Sequence, residues 1–237
     1  MTNTSKKSVL IIGATGSLGL QLLRHIAKES YKIDEVHVMA RNPNKLDKAD
    51  RSLVNSIEKG NARDTHDIEQ ALRKTKANYV ILATGNGHDV SKTDIREATG
   101  RALATVLQND EFKDVQAIIM SSHGAAETKV IVGFGIGMLI SFYLRHVFGD
   151  HTRQEAQFQT PSLEKRTLVV RPPSLTDDKA LNDLKYVAEF DGLTKSPSIS
   201  VDRSDIAAWV TREIATKPAI SGRKVCLTNA KNIPKKK

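Results

Sequence analysis

Short apolar runs alternate with stretches of helical periodicity from the start of the chain, the pattern of a parallel sheet covered by helices on both faces. Ser8–Ile12 reads as a short buried strand. Across Ser17–Glu29, Leu18, Leu22, Leu23 and Ile26 fall on one side of a helix. Val36–Ala40 is a second strand, Ser52–Ile57 a third, and Asp67–Lys74 the next helix. Tyr79–Ala83 has the continuous apolar character of a strand at a sheet centre. Asp94–Gln108 predicts a helix with Ile95, Ala98, Ala102, Val106 and Leu107 apolar, and Val115–Met120 a fifth strand.

The pattern then loosens. Phe134–Gln159 predicts a long or broken helix, amphipathic in its second half. Thr167–Val170 is a sixth strand, stopped by Pro172-Pro173, which can neither continue a ladder nor start a central strand. Asp205–Thr216 reads as a helix and Lys224–Leu227 as a last short strand. No internal repeat or low-complexity linker interrupts the series. The expectation is one α/β domain, a doubly wound parallel sheet of Rossmann type over residues 8–230, with basic tails at 1–7 and 231–237. A chain of 237 residues is long enough to bury such a core.

Composition changes this picture little. With 39% hydrophobic and 27% charged residues the chain is an ordinary globular protein. Its one cysteine, Cys226, allows no intrachain disulfide, which suits a reducing compartment. The N-terminus lacks the pattern of a secretory signal. The most apolar stretch, Val130 to Leu144, has 15 residues with three glycines inside. That is short of the roughly 20 needed to span a bilayer. A cytoplasmic location is expected.

The net charge of +9 needs dissection. Lys6, Lys7, Lys231, Lys235, Lys236 and Lys237 supply six positive charges, leaving +3 on the body. A modestly basic body suits an anionic cofactor, and nucleic-acid binding is not expected. The seven histidines show no metal-ligand spacing, so no metal is expected.

The candidate chemistry starts at Gly13-Ala14-Thr15-Gly16-Ser17-Leu18-Gly19, between a strand and a helix. In that setting three glycines point to a dinucleotide site. Gly13 permits the tight turn, Gly16 lets the backbone approach a pyrophosphate, and Gly19 lets the helix pack closely. The amides of the helix N-terminus then meet the phosphates.

Cofactor choice turns on the second strand. An NAD site usually carries Asp or Glu about 20 residues past the loop. Here Arg41 follows the strand, with Lys45 four residues on. A guanidinium can fork onto a 2′-phosphate, which a carboxylate would repel. NADP is expected over NAD. Asn61-Ala62-Arg63-Asp64 follows the third strand, where adenine contacts commonly sit, and Asp64 is the candidate. Ala83-Thr84-Gly85-Asn86-Gly87 follows the fourth strand, and its small residues would let a cofactor pass close to the backbone.

These segments, with Met120-Ser121-Ser122, Asp150-His151-Thr152-Arg153-Gln154-Glu155, Val170-Arg171-Pro172-Pro173 and Ile199-Ser200-Val201-Asp202-Arg203-Ser204-Asp205-Ile206-Ala207, resemble the atypical short-chain dehydrogenases. The nearest set is the NAD(P)H-binding group of NmrA-like proteins and biliverdin-IX-beta/flavin reductases. The resemblance covers about Ser8 to Leu227. It implies a reductase of a flavin, quinone or tetrapyrrole, or else a cofactor sensor without turnover.

The resemblance also implies that Ser121 and Ser122 face the nicotinamide, with Ser122 bonding the carboxamide or the substrate. His151 would lie near the pocket, as a proton donor, as a hydrogen-bonding group, or simply bonded to Asp150 or water. His123 is a second candidate. The main short-chain dehydrogenase branch pairs a tyrosine with a lysine four residues later; Tyr143 has Val147 there, so nothing lowers its pKa at that spacing. Tyr143 is then a catalytic residue of another kind or a packed core residue. Pro172-Pro173-Ser174 is expected to wall the substrate pocket. The segment from Gly133 to Leu144 is a cover over that pocket, a weak membrane-surface contact between Lys129 and Arg145, or a buried helix.

The combined expectation is an NADPH-dependent reductase of a small planar or conjugated acceptor, a monomer or homodimer with a small-molecule substrate. The rival is a non-catalytic NADP(H) sensor or assembly protein.

Overall fold

A computed structural model describes residues 6–29, 32–87, 89–128, 136–177, 187–193, 198–217, 219–220 and 222–229. Expectations for residues 1–5, Lys129, the stretch 130–135 and the basic tail 231–237 lie outside the described residues.

In chain order the elements are β1 (Ser8–Ile12), α1 (Ser17–Lys28), β2 (Glu35–Ala40), α2 (Lys48–Arg51), β3 (Ser56–Lys59), α3 (Thr65–Thr75) and β4 (Tyr79–Leu82). There follow α4 (Ile95–Leu107), β5 (Gln116–Met120), α5 (Ile136–Tyr143), α6 (Arg145–Ala156), α7 (Pro161–Glu164) and β6 (Thr167–Arg171). The last are β7 (Ser174–Thr176), β8 (Val187–Phe190), β9 (Ser200–Asp202), α8 (Arg203–Thr216) and β10 (Arg223–Asn229).

Eight strands form one sheet in the order β3-β2-β1-β4-β5-β6-β10-β8. All pairs are parallel except β8 against β10. Alternate side chains of β1 feed two cores. Val9 and Ile11 pack with Leu22, Leu23 and Ile26 of α1 and Ile206, Val210 and Ile214 of α8. Leu10 and Ile12 pack with Ile68 and Leu72 of α3 and Leu103 and Leu107 of α4. Both faces are covered, which is why these strands read as unbroken apolar runs. The fold is a single doubly wound Rossmann-type α/β domain.

Several details depart from the sequence reading. The third strand begins at Ser56, because Asp47 caps the one-turn helix α2 through the amide of Asp50 and takes up the residues before it. The stretch after β5, expected as a long or broken helix, is the broken one, interrupted at Leu144. Strand β8 and the separate parallel pair β7–β9 were not anticipated. Lys6 and Lys7, expected in a loose tail, are pinned. Lys7 Nζ donates to the carbonyls of Ile214, Ala215 and Lys217 at 2.7, 3.0 and 3.1 Å, filling the C-terminal end of α8. Lys6 Nζ bonds Glu35 at 2.5 Å.

The strand order reverses at β1, whose neighbours are β2 and β4. In open sheets of this kind a ligand crevice forms at the carboxyl ends of the strands flanking that point. The candidate residues after β1, β2 and β4 therefore converge.

Candidate dinucleotide groove and substrate cavity

The turn after β1 needs its glycines for specific reasons. Gly13 has φ +95°, and a Cβ there would stand 2.8 Å from the carbonyl oxygen of Ala83. A Cβ on Gly19 would overlap the Gly13 carbonyl, so the first turn of α1 can rest on the loop only as glycine. At Gly16 the nearest protein atom to a Cβ is 3.4 Å away, and the bare side faces the groove. Gly16 is also the N-cap of α1, with no side-chain cap and no acid in the first turn. By contrast Asp47, Asp64 and Asp202 cap α2, α3 and α8. The positive end of α1 is left open for an anion.

Two cavities lie on either side of this turn. The first, about 480 Å³, runs from Gly13 and Thr15 across Arg41, Asn42 and Lys45 to Asn61 and Ala62. No acidic side chain is among its described lining residues. Neither Arg41 nor Lys45 forms a salt bridge among the described residues. The second, about 400 Å³, is lined by Ser17, Leu18, Ser121, Ser122, His151 and the Pro172–Leu175 segment, with Arg96 and Arg203. Gly16, Ala83, Thr84 and Gly85 line both, so the two form one groove over the amino end of α1.

Asp64 is a correction. Its carboxylate accepts from the amide of His66 at 2.9 Å as the cap of α3, and it does not line the groove. Asn61 and Ala62 stand there instead. An Asp just before a helical run is also a cap signature, and capping is the role the structure shows.

Tyr143 is a second correction, to both of its readings. It is 64% exposed on α5 beside Met138, Leu139 and Phe142, neither in the core nor lining the groove. Of the three readings of the segment from Gly133 to Leu144, the buried helix is overturned for its described residues, since those side chains face outward. Of the described residues of this segment only Leu144, just beyond α5, borders the cavity, joined by Val147 of α6.

The serine pair divides its work. Ser122 Oγ donates to the His123 carbonyl at 3.1 Å and borders the cavity. Ser121 Oγ donates to Glu155 at 2.5 Å. Glu155 in turn receives Arg171 Nη2 at 2.5 Å, and Arg171 Nη1 reaches Glu127 at 2.8 Å. Burial works against the Arg171 charge, but the bonds to Glu155 and Glu127 outweigh it and raise its pKa. This ion-pair floor, buried at Glu155 and Arg171 and exposed at Glu127, was missed from sequence. The one signal was an arginine closing an apolar strand ahead of two prolines.

The histidines also separate. His123 is buried, stacks on Phe190 at 5.3 Å between centroids, and does not line the cavity. Burial, then the Arg171 charge, pushes its pKa down to about 4. His151 borders the cavity but is itself buried, and burial followed by the nearby Arg96 charge drives its pKa well below the ordinary value. It is a neutral imidazole at neutral pH. Its expected bond to Asp150 is not formed: the two Asp150 oxygens accept from the amides of Arg96 and Glu97 at 3.1 and 3.0 Å.

Comparison with known proteins follows the geometry. A family model described as NAD(P)H-binding matches residues 13–217, most of the chain. No curated protein matches the sequence. A short-chain dehydrogenase/reductase from Veillonella parvula, solved in complex with NADP, superposes with TM-score 0.72 at 13% identity, covering 94% of each chain. An oxidoreductase from Lactococcus lactis superposes at 0.66 with 16% identity, covering 94% of this chain and 90% of its own. A Rossmann-fold NAD(P)-binding family protein from Shigella flexneri gives 0.62 at 19% identity, covering 98% of both. At these identities the likeness speaks for the fold.

Proposed function

We propose that the chain, which belongs to the NAD(P)H-binding family, is an NADPH-dependent reductase of a small planar or conjugated acceptor such as a flavin, quinone, tetrapyrrole or conjugated carbonyl. The observation that carries this reading is the continuous groove, with Arg41 and Lys45 at one end and Ser122 and His151 at the other. Its middle passes over the uncapped start of α1, which fits a pyrophosphate, and the absence of an acid among the described residues near Arg41 fits a 2′-phosphate.

When bound, the dihydronicotinamide supplies the hydride; the chain supplies placement. Arg41 and Lys45 hold the 2′-phosphate, the α1 amides hold the pyrophosphate, and Ser122 holds the carboxamide or the acceptor carbonyl. Pro172 and Pro173 wall the acceptor's side of the cavity. The matching proton comes from water, since His151 is neutral and Tyr143 stands outside the cavity.

That same shortage of an acid favours the second reading, a non-catalytic NADP(H) sensor. Following NADPH and NADH oxidation against an acceptor panel separates the two. Turnover with NADPH supports the reductase. Tight NADPH binding with no turnover on any acceptor sinks it in favour of the sensor.

A further inference from the structure

Arg96 opens α4 and is only 9% exposed, yet it borders the substrate cavity. Burying a guanidinium is costly unless anions and acceptors surround it. Arg96 has little of either. Its ion pair is with Asp150, at 3.5 Å from Nη1, and that carboxylate is already shared between two backbone amides of α4. Its Nε is buried and finds no hydrogen-bond partner among the described residues. Burial accordingly lowers its pKa. The guanidinium is pressed against Gly85, where a Cβ would come 3.1 Å from Nη2.

A second nitrogen shares this condition. Nδ1 of His151, on α6, is also buried and outside hydrogen-bond geometry with any described group, the Gln154 side chain lying nearby, and the His151 ring borders the same cavity. Among the described residues, the other charged groups lining the cavity are Asp89 and Arg203. Asp89 is exposed at the rim and accepts from the Ser91 amide at 2.8 Å, while Arg203 pairs with Asp177 at 2.8 Å. Among the described residues, the charge in the interior is thus that of Arg96, with no carboxylate facing it there.

We propose that Arg96 and His151 form a receptor for an oxyanion, a carboxylate or phosphate, carried by the acceptor. The guanidinium supplies charge and donors; the neutral imidazole adds one directed donor from the ring nitrogen that faces the cavity. The inference rests on the reductase reading for the word acceptor, but the receptor is a binding site and can be tested without turnover.

The probes are pairs that differ in the oxyanion alone: FMN with riboflavin, and a quinone carboxylate with its methyl ester. Binding of each to the NADP-loaded protein is measured by fluorescence titration, and NADPH affinity separately. Wild type is expected to prefer the anionic member of at least one pair by about tenfold or more, as for one charge-assisted contact. Arg96→Met is expected to erase that preference while leaving the neutral member and NADPH within about twofold. Arg96→Lys is expected to restore part of it, which a merely structural arginine would not do. No preference in either pair for wild type, or a loss in Arg96→Met shared equally by NADPH, overturns the receptor; the second result would assign the guanidinium to the cofactor. A preference without NADPH oxidation keeps the receptor and sinks the reductase, whereas oxidation without a preference does the reverse.

Discussion

Ser121 and Glu155 lie 34 residues apart and share a buried 2.5 Å hydrogen bond, which ties the end of β5 to α6 beneath the substrate cavity. The bond commits the Ser121 hydroxyl to the floor and leaves Ser122 as the serine available to a ligand. Ser122→Ala is therefore expected to lower kcat/KM by about 10–100-fold with Tm nearly unchanged, as for one oriented bond at a reacting centre. Ser121→Ala is expected to cost stability, about 1–2 kcal/mol, because Glu155 loses a buried donor. Steady-state kinetics with thermal melts check the pair; the opposite assignment of losses would exchange their roles.

Gly16→Asp tests the groove itself. A carboxylate placed at the open end of α1 repels a pyrophosphate and fills the approach that the missing side chain leaves. The variant is expected to fold, since the nearest protein atom to the new Cβ stands 3.4 Å away, and to lose measurable NADP(H) binding by calorimetry. Retained affinity in a folded variant would remove the dinucleotide from this turn.

Arg41→Ala tests cofactor choice. Arg41 lines the first cavity without a salt-bridge partner among the described residues, so its removal leaves no internal charge stranded. NADPH binding is expected to weaken by about 1.5–3 kcal/mol, the scale of a hydrogen bond to a charged group. NADH affinity is expected to stay near its wild-type value. Parallel titrations decide it, because equal losses for both cofactors would make Arg41 a structural residue.

His123 predicts a pH dependence of stability. Its pKa is pushed down to about 4 in the fold, against about 6.5 in an unfolded chain. Between those values the unfolded state binds the extra proton. The contribution is therefore complete above pH 6.5 and is lost as pH falls toward 4, on the order of 3 kcal/mol in total. Denaturant melts at pH 7 and pH 4.5 are expected to show a shallower acid loss in His123→Gln than in wild type. Parallel slopes would contradict a buried neutral His123.

The periodicity of the sequence made the sheet centre legible because β1, β4 and β5 are buried on both faces and, past Ser8 and Gln116 at their starts, carry apolar side chains. It left the far edge obscure. Val187–Phe190 and Ser200–Asp202 are short and mixed in polarity, and their pairing depends on partners distant in the chain. At the site, the glycine turn was readable because steric demand leaves a spacing. Arg96, Glu155 and Arg171 were not, since a buried charge is recognised only by what surrounds it. Asp64 failed differently: one residue type serves both as a helix cap and as a ligand contact, and the sequence favours neither.

The four residues common to both cavities give the groove a mechanical property. A dinucleotide held extended by this groove and anchored at Arg41 would work as a ruler laid through Gly16 and Gly85. Where its far end stops beside Ser122 is then set partly at the near end. Changes around Arg41 and Lys45 are then expected to alter the alignment at the reacting end, not only affinity. A cofactor lacking the 2′-phosphate would lie in the groove with more slack, and hydride transfer from it would be less well aimed even at saturation.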